Sequence, residues 1–245
     1  PDIDVDAAEI LVEREPITVI CSKNGWIRAM KGHQDLEAEY KFKEGDGPAF
    51  ILHAETTDKI LLFAENGRFY TLSGDKLPRG RGFGEPVSLM VDLPVDVDIV
   101  RLLKAEGKRM LVAASTGHGL LVPTEAALAQ TRSGKQVLNI SGTARAVACC
   151  VAEGDMVASV GMNRKLLVFP IDEVPEMTRG KGVILQRFKD GGLADITVYY
   201  AEAGLSWKAG GGRTRTEADM SDWLGKRAGA GKMPPIGFPR PARFT

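Results

Sequence analysis

Short runs of hydrophobic residues, joined by glycine-containing turns, recur along the chain. The first run is Ile17 to Cys21, which is followed by the turn sequence Ser22-Lys23-Asn24-Gly25 and a second run from Trp26 to Met30. Asn-Gly pairs readily adopt the positive φ angles of the two-residue turns that join antiparallel strands. This stretch therefore predicts a β-hairpin.

The same arrangement occurs four more times. The predicted strand pairs are 60–64 with 68–72, 110–114 with 118–122, 156–160 with 164–169, and 205–209 with 213–216. The turn positions Gly25, Gly67, Gly117, Asn163 and Gly212 differ in residue number by 42, 50, 46 and 49 (67−25, 117−67, 163−117, 212−163). Because such a repeat of short strands is typical of propeller-like folds, we predict an all-β fold of about five four-stranded blades.

The repeat also predicts the domain organisation. Residues 1–16 alternate acidic and small apolar side chains, and we interpret them as an acidic linker. The predicted β domain covers 17–241, and 242–245 form a tail. Turns that combine glutamate with glycine, such as Glu106-Gly107, mark the boundaries between units. The approximate blades are 17–58, 59–107, 108–154, 155–204 and 205–241.

A basic, glycine-rich segment recurs with a similar period. The clearest copy is Leu77 to Pro86, which reads LPRGRGFGEP, and weaker copies are 131–135, 178–182 and 226–232. The arginines at 79, 132, 179 and 227 differ in residue number by 53, 47 and 48 (132−79, 179−132, 227−179). The regular spacing predicts that these segments occupy equivalent places in successive units.

These segments have the composition of phosphate-binding loops. Glycine lets the main chain approach a ligand closely and aim N–H groups at phosphate oxygens, while arginine and lysine neutralise phosphates and release counterions. The alternative interpretation is that each segment is a tight turn with solvated cations. The predicted nucleic-acid contacts are Lys31, Arg79, Arg81, Arg132, Lys135, Arg179, Lys181, Lys226, Arg227 and Lys232.

The charge distribution limits where a polyanion would bind. Lys plus Arg and Asp plus Glu each number 32, so the formal net charge is zero. Residues 1–58 hold 6 basic and 13 acidic side chains, net −7, whereas 205–245 hold 8 and 3, net +5. Any polyanion site is therefore expected to be local, because the chain as a whole has no bulk attraction for one.

Other kinds of chemistry find no support in the sequence. It has no Walker loop, no serine nucleophile elbow and no Cys or His spacing typical of zinc, so we predict no catalytic residue, metal or cofactor. Three cysteines are too few for a disulfide framework and indicate a reducing compartment. The apolar runs are shorter than a membrane span, and we expect a cytoplasmic protein.

Three stretches carry a resemblance to a known family. Val19 to His33, Leu77 to Val87 and the Arg-Gly-Lys-Gly sequence at 179–182 are similar to the C-terminal domain of ParC, the A-subunit of bacterial topoisomerase IV. The resemblance implies a β-pinwheel, a propeller-like disc that binds duplex DNA along a basic outer rim and bends it. In the whole enzyme such a domain guides substrate choice in decatenation and supercoil relaxation.

The same resemblance implies partners and the location of the chemistry. The catalytic tyrosine of such an enzyme belongs to an upstream region, and its ATP and Mg²⁺ are bound elsewhere, so the domain itself is not expected to be an enzyme or to need a cofactor. The implied partners are duplex DNA, the rest of the topoisomerase IV A-subunit, and the ATPase B-subunit. We expect a monomeric domain of a cytoplasmic, nucleoid-associated enzyme.

Two alternative functions stay open at this point. In the related gyrase, the A-subunit has a C-terminal DNA-wrapping domain with a Gln-Arg-Arg-Gly-Gly-Lys-Gly box, and this chain lacks that heptad, with 178–182 as its nearest approach. A β-propeller can also serve as a protein-interaction module. Fold alone does not decide between DNA binding and protein binding.

Overall fold

A computed structural model describes residues 12–245, so 1–11 of the predicted linker lie outside the described residues. The described chain forms two compact units. Unit 1 contains 12–63, 69–106 and 128–135, and unit 2 contains 64–68, 107–127 and 136–245.

The first two sheets have four strands each. The strands of sheet 1 are β1 (Pro16–Ser22), β2 (Trp26–Lys31), β3 (Pro48–Glu55) and β6 (Glu85–Pro86). The strands of sheet 2 are β4 (Lys59–Ala64), β5 (Arg68–Ser73), β7 (Ile99–Lys104) and β10 (Lys135–Gln136). Their strand orders are β3-β1-β2-β6 and β10-β5-β4-β7, so that in each sheet a hairpin is central and one further strand flanks it on either side.

The remaining sheets become smaller toward the end of the chain. Sheet 3 has the order β11-β8-β9-β14, sheet 4 the order β13-β12-β15, and sheet 5 only two strands. The strands of sheet 3 are β8 (Arg109–Ala114), β9 (His118–Pro123), β11 (Ala146–Val151) and β14 (Val183–Ile184). Those of sheets 4 and 5 are β12 (Met156–Gly161), β13 (Leu166–Pro170), β15 (Leu193–Tyr199), β16 (Leu205–Lys208) and β17 (Thr214–Glu217). One α-helical turn, α1 (Thr124–Ala127), is present in the described chain.

All five predicted hairpins are present, and the predicted all-β fold is confirmed. Gly25, Gly67 and Gly117 have the positive φ angles that the turns require. In the fourth hairpin the residue with positive φ is Arg164, at +70°, and not Asn163 as the spacing predicted. Asn163 instead accepts a hydrogen bond from the Lys165 N–H through its side-chain oxygen, at 3.0 Å.

The fourth strand of each four-stranded sheet comes from distant sequence. In sheet 1, β6 follows the hairpin of sheet 2 in the chain, and β10 and β14 complete sheets 2 and 3 in the same way. Residues 85–86 of sheet 1 thus fall inside the stretch predicted as the second blade, 59–107. The sheets are therefore not contiguous pieces of sequence.

A left-handed glycine precedes the edge strands of sheets 1 and 3 and lies against the neighbouring strand. Gly84 has φ +86°, and a Cβ there would overlap the carbonyl oxygen of Ile27 in β2. Gly182 has φ +77°, and a Cβ there would overlap the carbonyl oxygen of Gly119 in β9. Only glycine combines this backbone conformation with so close an approach.

Gly134 and Gly231 occupy the equivalent places in sheets 2 and 4. A Cβ on either would press on a strand carbonyl, that of Phe69 or that of Leu166. Counted from Gly84, the four glycines differ in residue number by 50, 48 and 49 (134−84, 182−134, 231−182). The period of the sequence thus reflects a repeated contact between main chains.

A backbone hydrogen bond three residues further on fixes the edge to the central hairpin in sheets 1 and 3. Val87 N–H donates to the carbonyl of Gly25 at 2.9 Å, and Leu185 N–H donates to the carbonyl of Gly117 at 2.7 Å. Both donors are buried, at 2% and 0% exposure. These two edge strands are therefore held both at their side and at the hairpin turn.

Sheet 4 lacks this second attachment. The residue three positions after Gly231 is Pro234, which has no N–H group to donate. Along its outer edge, β13 forms two isolated bridges, one between Lys232 and Leu166, with N···O distances of 2.7 and 2.9 Å, and one between Leu224 and Val168. Sheet 4 thus has three strands where four were predicted, and its outer edge lacks the hydrogen bond to the hairpin turn because Pro234 has no N–H group.

The last residues of the chain belong to the core of unit 2. Residues 242–245 were predicted as a tail, but Ala242 and Phe244 are only 9% and 2% exposed. Phe238 lies between Phe244 and Trp207, with ring centroids 5.5 Å from each. The Phe244 N–H also donates to the Asp195 carboxylate at 2.7 Å, so this end supports the small fifth sheet.

The edge glycines supply a direct test of the fold. We expect Gly84→Ala to destabilise the protein by about 2 kcal/mol or more, because alanine is strained at positive φ and its Cβ would displace the Ile27 carbonyl. Gly82→Ala, two residues away, meets only Gly84 N at 4.0 Å and should change stability by less than about 0.5 kcal/mol. Urea unfolding of both variants measures the difference, and equal stabilities would contradict this account of the edge.

Candidate nucleic-acid interface

The four basic, glycine-rich segments all run along sheet edges. We call them edge segments 1 (77–86), 2 (131–135), 3 (178–182) and 4 (226–232). Edge segment 1 follows β2, with Ala29 N–H donating to the Pro78 carbonyl at 2.8 Å. Edge segment 3 follows β9, and edge segment 4 reaches β13 at Lys232. Segments 1 and 2 lie in unit 1, and segments 3 and 4 lie in unit 2.

The arginines that define the sequence period bind other parts of the protein. In edge segment 2, Arg132 Nε is 3.3 Å from the Asp92 carboxylate, and its Nη1 donates to the Leu89 carbonyl at 3.0 Å. The Asp92 N–H donates in return to the Arg132 carbonyl at 2.8 Å. Arg132 therefore ties edge segment 2 to the loop that follows edge segment 1.

Edge segments 3 and 4 use their arginines in the same way. Arg179 Nε donates to the Asn139 side-chain oxygen at 3.2 Å, in the stretch that follows edge segment 2. Arg227 Nη1 donates to the Ile184 carbonyl at 2.7 Å, directly after edge segment 3. Arg227 is half-buried, and its Nε is buried without a hydrogen-bond partner among the described residues. Its guanidinium thus faces the protein.

Arg79, the first of the periodic arginines, pairs with the acidic stretch before β1. Its Nη1 is 3.6 Å from a Glu15 carboxylate oxygen, and both side chains are about two-fifths exposed. Exposed ion pairs of this kind contribute about 0.2–1 kcal/mol. Arg79 can therefore exchange Glu15 for another anion at little cost.

The other predicted contacts point into solvent. Each is exposed, and none of their side chains makes a hydrogen bond or an ion pair with another residue of the described chain. These residues are Lys31, Arg81, Lys135, Lys181, Lys226 and Lys232. Each edge segment contributes at least one of them, so every segment presents a positive charge that the fold does not use.

Two of the glycines use their N–H groups for hydrogen bonds within the protein and not for a ligand. The N–H groups of Gly134 and Gly180 donate to the carbonyls of Thr131 and Val137, at 3.1 and 2.9 Å. The prediction that glycine N–H groups face phosphate is therefore wrong for these two positions. In edge segment 1, however, a Cβ on Gly80 would meet nothing within 4 Å, so this loop stays open on one side.

Arg28 holds the open loop of edge segment 1 in place. It is 8% exposed, and its guanidinium donates to the Gly82 carbonyl at 2.7 Å and to the Lys41 carbonyl at 2.8 Å. The guanidinium also lies over the aromatic ring of Phe42, with its carbon 5.7 Å from the ring centroid. Arg28 is thus a positioning residue that the sequence did not distinguish from a surface cation.

A histidine and an arginine near edge segment 3 were also missed. His118 begins β9 opposite Ile184, and burial, with the positive charges of Lys181 and Arg187, lowers its pKa. The side chain of Arg187 is exposed, and its main-chain N–H donates to the Gly229 carbonyl at 3.0 Å. The sequence signal was weak, because Arg187 lies beyond the end of the glycine-rich stretch.

No other kind of site appears in the described residues. They contain no group of three His, Cys, Asp or Glu side chains placed to hold a metal ion. None of the three cysteines forms a disulfide bond, and burial raises the pKa of Cys21 to about 12. Over 12–245, no helix is both long and apolar enough to cross a membrane.

Comparison with known proteins gives a consistent result. The family model for the DNA gyrase C-terminal domain, a β-propeller, matches residues 58–104 and 155–194. The DNA topoisomerase 4 A-subunit of Caulobacter vibrioides is 49% identical over the whole of this chain, and that of Rickettsia bellii is 46% identical over 99% of it. The chain spans 32% of the length of each of these relatives.

Solved structures show the same fold. The Escherichia coli ParC C-terminal domain matches 91% of this chain and 95% of its own length, with a TM-score of 0.77 and 24% identity. A DNA gyrase A C-terminal domain matches 89% of this chain and 76% of its own length, with a TM-score of 0.63 and 14% identity. The predicted β-pinwheel fold is thereby confirmed.

Adjacent residues in edge segment 4 test the division between structural and free cations. We expect Arg227→Ala to lower the free energy of unfolding by about 1 kcal/mol, because it removes the hydrogen bond to the Ile184 carbonyl. Lys226→Ala, which removes an exposed side chain, should change it by less than about 0.5 kcal/mol. Urea unfolding checks both values, and a larger loss for Lys226→Ala would reverse the assignment.

Proposed function

This chain is homologous to the C-terminal domain of the topoisomerase IV A-subunit, and from this premise we propose that it binds duplex DNA through its edge segments. The observation that carries the proposal is the set of exposed, unpartnered cations, at least one on each edge segment of the described chain. The net charge of the chain is zero, but binding depends on the local cations that face solvent. These are different residues from the cations that hold the fold together, so a neutral chain can still bind DNA.

The contacts are directed at the DNA backbone. The free cations are lysines and one arginine at exposed positions in loops and at strand ends, and such residues neutralise phosphates without reading the base sequence. A single exposed ion pair contributes only about 0.2–1 kcal/mol. Affinity therefore requires several edge segments to act on the same duplex.

We further propose that the bound duplex is bent. Bending a short site smoothly costs of order 1–6 kcal/mol, which one ion pair does not offset. The combined contacts of four edge segments are of the required size. In the whole enzyme, this bending guides the choice of substrate in decatenation and supercoil relaxation, along a basic rim formed by the edge segments.

The rest of the reaction is assigned to other parts of the enzyme. DNA breakage belongs to the remainder of the topoisomerase IV A-subunit, whereas ATP and Mg²⁺ are bound outside this chain, with ATP on the ATPase B-subunit. This domain acts as a monomeric DNA-binding accessory in a cytoplasmic, nucleoid-associated enzyme. The lack of the gyrase heptad box supports this role over the tight wrapping of a gyrase domain.

Charge reversal of the free cations tests DNA binding. We expect Arg81, Lys135, Lys181 and Lys232, changed together to glutamate, to weaken duplex binding at least about tenfold. If each cation neutralises one phosphate, the slope of log affinity against log salt should also fall by about 3.6, at about 0.9 per lost contact. Fluorescence anisotropy with a labelled duplex at several salt concentrations measures both effects.

The matched control makes the same change in net charge elsewhere. Lys41, Lys76, Lys208 and Arg213 are exposed and lie outside the edge segments. Their replacement by glutamate should weaken binding less and leave most of the salt slope in place. Equal losses in the two quadruple variants would show that net charge matters and that the edge segments have no special role.

Bending is tested separately from binding. A duplex of about 30 base pairs, labelled at its two ends, should show increased energy transfer when it is saturated with the protein, because a bend brings the ends together. The charge-reversal variant, at concentrations that reach the same occupancy, should give a smaller increase. Saturation of binding with no change in energy transfer would contradict bending and leave the binding proposal intact.

A further inference from the structure

Strand β9, which pairs with the edge strand of sheet 3, begins with a histidine in a cationic setting. This residue, His118, pairs in register with Ile184 of β14. Its Nδ1 is 2.9 Å from the Thr116 hydroxyl, and the ring is half-buried. Within the described chain, Nε2 has no hydrogen-bond partner, so this nitrogen is available to a ligand.

Two positive charges act on this histidine. Lys181 and Arg187, which flank β14 in sequence, both act electrostatically on its ring, and both side chains are exposed. A cavity of about 630 Å³ is lined by Arg187 and by two neighbours of His118, namely Thr116, which hydrogen-bonds to its ring, and Ile184, which pairs with it across the sheet. The other charged groups in that lining are Lys165, Lys189 and one carboxylate, Asp190. The excess of cations favours an anionic ligand.

We propose that His118, Lys181 and Arg187 bind one phosphate of the DNA backbone and that the imidazole takes up a proton from solvent when the phosphate binds. This inference rests on the proposed DNA-binding function and adds a site and a proton to it. Nδ1 stays with the Thr116 hydroxyl, and the Nε2–H of the imidazolium donates to a phosphate oxygen.

The electrostatics explain why the proton arrives only with the ligand. Without DNA, burial and the two nearby cations hold the pKa of His118 below its usual value, so the ring is neutral near pH 7. A bound phosphate offsets both cations and favours the charged ring. Because the protonated protein binds DNA more tightly, affinity must rise as the pH falls through the pKa of the bound state.

The experiment measures duplex affinity against pH at constant salt. We expect wild-type protein to bind about threefold more tightly at pH 6 than at pH 7.5 and to take up a fraction of a proton at pH 7. Calorimetry in two buffers of different ionisation enthalpy measures that uptake directly. His118→Gln should bind the duplex more weakly than wild type at pH 6 and lose most of the pH dependence.

Other variants separate this site from the remaining titrating groups. His33→Gln removes a histidine of unit 1, outside the edge segments, and should leave the pH dependence of wild type. Arg187→Gln should weaken binding several-fold and lower the salt slope by about 0.9. If His118→Gln fails to fold, the calorimetric uptake is compared between wild type and His33→Gln, and uptake that His33→Gln retains still supports the site at His118.

The outcomes distinguish the two levels of the proposal. Duplex binding with no proton uptake, or with a pH dependence unchanged in His118→Gln, would overturn the phosphate site and leave the DNA-binding function standing. Absence of duplex binding by wild type at every pH would overturn the function and, with it, this inference. Loss of pH dependence in His33→Gln would assign the proton to unit 1 and overturn the site at His118.

Discussion

The structure depends on one contact between main chains, in which a left-handed glycine of an edge segment lies directly on a carbonyl of the neighbouring strand. At Gly84 and Gly182 the approach is so close that no side chain fits. This contact places a short strand along the edge of the sheet. Without that strand, the edge would offer unpaired N–H and C=O groups to other chains. Three of the free cations, Lys135, Lys181 and Lys232, are direct sequence neighbours of the edge glycines.

The sequence predicted much of the fold for reasons that are local. Each hairpin is specified by a hydrophobic run, a turn that tolerates positive φ and a second run, and all five were found where the pattern placed them. The partner of each hairpin was harder to predict, since β6 joins β2 across a complete intervening hairpin. No periodicity within a window of sequence reports such a pairing. Pro234, by contrast, was visible in the sequence, and its effect on sheet 4 could only be judged once Gly231 had been placed.

The candidate site shows how one repeat can have two causes. The arginines at 132, 179 and 227 recur because each binds the stretch after the preceding edge segment, through Asp92, Asn139 or Ile184. The lysines beside them follow no strict spacing, yet they are the side chains left to solvent. Sequence alone does not separate the two groups, because a guanidinium that donates to a distant carbonyl and one that faces water have the same local sequence. Burial and hydrogen-bond partners are needed to tell them apart.

The position of the edge strands, far along the chain from their partners, also affects the order in which the protein folds. β2 ends at Lys31, and its partner β6 begins only at Glu85, after the whole hairpin of sheet 2. In the same way, the partner strands of β5 and β9, which are β10 and β14, come after the following hairpin in the chain. Such pairings carry a high contact order and form slowly. A chain emerging from the ribosome therefore exposes each of these hairpins with a bare edge until the next hairpin has been made, and this interval is when chaperones or misassociation compete with folding.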